Sequence, residues 1–140
     1  MTFLTEEIVQ KKTPQQLTAL LFEACIGNLE EAVQHIERKQ YIKANEKFQR
    51  SIDIVERLGA GLNYEAGIIA DELDALYNYI NNELITANME KDKQKTLDVL
   101  TLIQTLAASW NEALQSQTDK QSQIEKSRTN AYEQHIQYDR

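Results

Sequence analysis

Cysteine and proline each occur once in the 140-residue chain, histidine twice and glycine four times. A single cysteine excludes an internal disulfide and suits a reducing compartment. So few prolines and glycines argue against tight-turned β architecture and for helices. No Lys/Arg run exceeds Lys11-Lys12, and the net charge of −7 repels phosphate backbones and anionic lipid headgroups, so nucleic acid and membrane surfaces are poor partners. Long apolar runs are also missing. The N-terminus carries Glu6 and Glu7 where a leader peptide needs bases, and nothing further on approaches a membrane span, so the expected location is the cytoplasm.

What is present is amphipathic helix. Thr13-Pro14-Gln15-Gln16 has the pattern of a capping box with proline at the first helical position. Leu17, Leu20, Leu21, Ala24, Cys25, Asn28, Leu29, Ala32 and Ile36 then follow helical spacing, with Phe22, Ile26 and Val33 beside the stripe. A second helix is expected from about Tyr41 to Leu58, with Tyr41, Ala44, Phe48, Ile52 and Val55 inward. Gly59-Ala60-Gly61 is expected to end it through a left-handed glycine. A third, from Tyr64 or Glu65 to Asn88, carries Ile69, Leu73, Leu76, Tyr77, Ile80, Leu84 and Ala87 inward. A fourth begins near Lys91–Lys95 and reaches about Gln115, with Leu100, Ile103, Leu106, Ala107, Trp110 and Leu114 on its core side.

Short connections force neighbouring helices to run in opposite directions, so the expected fold is all-α, an antiparallel up-down four-helix bundle. The expected organisation is an N-terminal segment 1–12, the bundle 13–116, and a polar stretch 117–140 that is either a tail or a short fifth helix. Acids outnumber bases only before residue 117; the last 24 residues carry four of each.

The residues hold no recognisable chemistry. A di-iron bundle needs Glu-x-x-His pairs, but the histidines are only His35 and His135, and His35 follows Glu31 by four positions. Cys25 sits in an apolar stripe, where a free cysteine packs as a small hydrophobe. Asp71, Glu72 and Asp74 read as a solvated acidic face. Gly59, Gly61 and Gly67 match no phosphate-binding loop. No enzyme activity, metal or cofactor is expected.

Apolar residues left over from the core point elsewhere. Ile54 and Leu58 lie to the side of the second helix's core stripe, and Ile68, Ala75 and Tyr79 gather on the third helix away from Leu73 and Leu84. Both sets adjoin the turn that holds Leu62 and Tyr64. A partner's amphipathic helix lying between them is one reading; scattered exposed residues, or a contact for this chain's own terminal segments, is the other.

Several motifs then agree in order and spacing. Leu62-Asn63, Gly67-Ile68-Ile69-Ala70, Leu73, Leu76-Tyr77-Asn78-Tyr79-Ile80 and Leu84-Ile85-Thr86-Ala87-Asn88 resemble the central signature of the flagellar secretion chaperones of the FliS family. Thr13-Pro14, Leu17, Leu20-Leu21-Phe22 and Cys25 are similar to that family's opening motif, with Phe22 in place of the usual Tyr. Trp110-Asn111-Glu112-Ala113 resembles its closing helix. The resemblance covers residues 13–115. It implies a non-catalytic bundle that binds the disordered C-terminal segment of flagellin, prevents its premature polymerisation and delivers it to the flagellar export apparatus. The candidate groove for that segment is the apolar surplus at Ile54, Leu58, Leu62, Tyr64, Ile68, Ala75 and Tyr79, and the self-capping segment that the resemblance implies holds Phe3, Leu4 and Ile8. A helical adaptor or homodimerisation module with another protein partner is the alternative.

Overall fold

The computed structural model describes residues 12–63 and 67–138, and at 117, 118, 121, 122 and 130–138 the backbone alone. Among the described residues four helices follow one another: α1 Pro14–Glu37, α2 Tyr41–Ala60, α3 Ile68–Glu90 and α4 Lys93–Tyr138. No strand occurs among the described residues. The chain forms two compact units, one up to Ala107 and one from Ala108 onward.

Local chemistry explains where the helices start and stop. The capping box at α1 is complete: the Gln16 N–H donates to Thr13 Oγ1 and the Thr13 N–H to Gln16 Oε1, each at 3.1 Å. Both α1 and α3 end in a left-handed residue that is a lysine, Lys39 (φ 58°) and Lys91 (φ 52°). The Gln40 N–H reaches back to the His35 carbonyl at 2.8 Å and the Asp92 N–H to the Ala87 carbonyl at 3.0 Å, the long bond of the Schellman motif. Asp92 also caps the next helix, its Oδ1 accepting the Lys95 N–H at 3.0 Å, so Lys91 and Asp92 alone turn the chain from α3 into α4.

The glycine turn after α2 differs from expectation. The helix runs through Gly59 to Ala60, and Gly61 ends it at φ −86°, outside the left-handed region. The glycine that a positive φ requires is Gly67 (φ 71°, ψ −127°), at the N-cap of α3. That helix accordingly starts at Ile68, later than Tyr64 or Glu65.

Cross-links between elements show the alternation of direction. Lys47 Nζ lies 2.5 Å from Glu31 Oε2, joining the start of α2 to the end of α1. The Asn88 side-chain N–H donates to Asn45 Oδ1 at 2.7 Å, joining the end of α3 to the start of α2. Lys93 pairs with Glu37 at 2.9 Å, and Lys95 lies 4.0 Å from Glu83, so the start of α4 meets the ends of α1 and α3. The exposed Lys93–Glu37 pair is worth about 0–1 kcal/mol, and the cross-links mark register more than they hold the fold. Holding it is the task of the core: Leu29, Phe48, Val55, Ile80, Leu84 and Ile103 are all but fully buried. Phe22 and Val33 join them, which widens the buried side of α1 beyond its central stripe.

Two residues expected inward are exposed. Tyr41 opens α2, and Ile69 lies in the first turn of α3 on the same angular side as buried Ala87. Periodicity assigns a side, whereas burial also needs neighbouring helices that extend far enough to cover it.

In the second unit, α4 continues to Tyr138. The described residues 117–138 are therefore helical. They hold no Pro or Gly and are rich in Gln, so their polarity does not signal loss of helix propensity.

Candidate functional site

Cys25 is wholly buried, its thiol 3.9 Å from the Ser51 carbonyl oxygen. Burial pushes its pKa up to about 12, with the Ser51 side chain pulling weakly the other way, so near neutral pH the sulfur is a protonated thiol and a poor nucleophile. His35 is half-buried at the end of α1, its Nδ1 2.8 Å from Gln40 Oε1, where it closes the α1–α2 turn. Among the described residues no group of three or more His, Cys, Asp or Glu is placed to hold a metal ion. No described helix is long and apolar enough to cross a membrane.

The outward face of α3 carries several exposed apolar residues. Ala70, Tyr77, Ile80, Leu84, Ala87 and Asn88 turn inward. Ile68 is 75% exposed, Tyr79 54% and Met89 80%, and Ala75 is exposed between them. At about 100° per residue these four fall within an arc of roughly 80°, opposite the buried side. Ile85 is exposed at the edge of that arc. The Asn45–Asn88 hydrogen bond sets the first turns of α2 against the last turn of α3, so Ile42, 80% exposed, shares Met89's end of the hairpin.

The groove expected from the sequence is only partly assembled. Ile68, Ala75 and Tyr79 do share one exposed face. Leu58 is 6% exposed and belongs to the core. Ile54 is half-buried, and it lies two helical turns after Lys47, on the flank of α2 that pairs with Glu31 of α1. Asn45, nine positions before Ile54 and hence about 180° around the helix, marks the flank that meets α3. Ile54 is therefore separated from the α3 stripe by the body of α2. Leu62 is half-buried, while Tyr64, Phe3, Leu4 and Ile8 lie outside the described residues.

Sequence reasoning passed over Ile42, Ile85 and Met89. The signal for Met89 was available, since it lies two seven-residue steps beyond Ala75 on the same side of α3 as Ile68, with Asn82 interrupting the repeat. Ile42 carried no such signal, because its place beside α3 depends on how two helices pair.

The model of a family described as flagellar protein FliS matches residues 4–117. A flagellar secretion chaperone FliS of Salmonella typhimurium is 31% identical over 109 residues, which span 76% of this chain and 81% of that protein. Another of the same name, from Bacillus subtilis, is 27% identical over 116 residues, spanning 83% and 86%. Among solved structures, one described as the crystal structure of a flagellar chaperone from bacteria superposes with a TM-score of 0.70 at 19% identity, covering 81% of this chain and 93% of that one, a likeness of fold.

Proposed function

The chain belongs to the FliS family, and on that premise we propose that it is a flagellar export chaperone of the cytoplasm. Its client is the disordered C-terminal segment of flagellin, which it keeps from polymerising and passes to the export apparatus. The observation that carries this reading is the apolar outward face of α3, left exposed although the bundle core is complete without it. An exposed apolar stripe on a small monomer is a liability unless a partner covers it at some stage. Binding of a disordered segment fits that need, because its ordering entropy keeps the complex reversible while it covers much surface.

Calorimetric titration of the full chain with a flagellin C-terminal peptide tests the assignment. A Kd of roughly micromolar or tighter, equivalent to about 8 kcal/mol, is expected, with co-elution of the pair. Neither heat nor co-elution at peptide concentrations of about 50 μM would sink it.

A further inference from the structure

We propose that the outward face of α3 receives a cationic amphipathic helix, with aliphatic anchors every three to four residues and Lys or Arg along both edges. This rests on the chaperone reading only for the source of that helix. Between Ile68 and Glu90, α3 carries five acids and no lysine or arginine. Around the helix, Asp71 lies on one edge of the stripe formed by Ile68, Ala75, Tyr79 and Met89, and Glu72 and Glu90 lie on the other; all three acids are exposed. Glu83, further round, has Lys95 4.0 Å away. The stripe thus carries Ile68, Ala75, Tyr79 and Met89, with Asn82 and Thr86 between the last two, and every charged group along its edges is an acid.

Charge of one sign on both edges selects the occupant. A second copy docked through the same face would set acid against acid, since a two-fold contact is self-complementary. An anionic lipid surface is repelled in the same way. A helix with basic edges gains both the apolar contact and the charge match. From Ile68 to Met89 the stripe spans about 32 Å, enough for roughly six turns of a partner helix.

Two synthetic helices of about 21 residues test this, both with a leucine face, one edged with Lys and its twin with Glu. Each is titrated calorimetrically into the full chain beside the flagellin peptide. The Lys helix is expected to bind at least about tenfold more tightly than the twin, with the margin shrinking as ionic strength rises past about 0.15 M. Ile68→Ser with Met89→Ser should weaken it about tenfold, and Asp71→Lys with Glu72→Lys should erase or reverse the preference. These positions are exposed, and far-UV circular dichroism checks that the variants remain folded.

Equal binding of the twins, or variants that change nothing, overturns the proposal. Flagellin peptide bound equally by wild type and all variants, with no preference between the twins, overturns the proposal and leaves the flagellin reading standing. The Lys helix bound on α3 with no binding of flagellin supports it and removes flagellin as the source. A dimer of the chain alone that Met89→Ser dissociates in sedimentation would give the face to a second copy and overturn the proposal.

Discussion

Ser51→Ala should stabilise this protein, against the usual direction of core substitutions. Ser51 lies inside α2 with no exposed surface, and its Oγ has no partner in hydrogen-bonding geometry. Its polar neighbour is the Cys25 thiol, a weak partner. A buried hydroxyl left unpaired is unfavourable by about 1–2 kcal/mol. Alanine is also the better helix former by about 0.5 kcal/mol. Against this, deleting one oxygen leaves a void of roughly 10–15 Å³, a loss of about 0.3 kcal/mol. The net gain is about 1–2 kcal/mol, or an increase in Tm of very roughly 5–10 °C for a unit of this size. Urea and thermal unfolding followed by circular dichroism would measure it. Thr96→Val is the matched control, because the equally buried Thr96 Oγ1 does donate, to the Asp92 carbonyl at 2.7 Å; that change should destabilise by about 1 kcal/mol. A Ser51→Ala variant as unstable as the Thr96 variant would refute the reasoning and show that the Ser51 hydroxyl is satisfied.

Thr13→Ala removes the side-chain acceptor of the capping box and should destabilise by about 1 kcal/mol in the same assay. Lys39→Gly relieves a left-handed lysine and should stabilise by about 0.5–1 kcal/mol. Lys91→Gly should gain much less, because Lys91 Nζ donates to the Asn88 carbonyl and Oδ1 at 2.5 and 2.8 Å; equal gains at the two sites would show that those bonds contribute nothing. Raising the pH should weaken the fold through Cys25: folded, its pKa is about 12 against an ordinary 9.0, so the unfolded chain loses its proton first and stability falls from about pH 9 upward. That loss reaches roughly 1.4 kcal/mol by about pH 10, and a Cys25→Ala variant should lack it in urea titrations across that range.

Much of the candidate site and of the bundle was legible from local pattern. Helical spacing put Ile68, Ala75 and Tyr79 on one outward side, and they are exposed there. It also put Leu58 and Ile54 beside that stripe, which the pairing of helices does not allow. Leu58 is buried, and the Lys47 and Asn45 contacts put Ile54 on the opposite flank of α2 from α3. An angle on a helical projection says how residues of one helix relate to each other, and nothing of which neighbour each flank meets.

The sequence by itself determined that four amphipathic helices follow one another, the N-cap of α1 at Thr13 and the family, since caps, propensity, apolar period and motif spacing act over a few residues; it misplaced the start of α3 and the end of α4. Only the tertiary structure decided that Ser51 is buried without a partner, that Ile69 and Tyr41 lie uncovered at helix starts, and that Ile42 and Met89 share one end of the hairpin. Those outcomes depend on the lengths and facing sides of different helices, which meet only when the bundle closes.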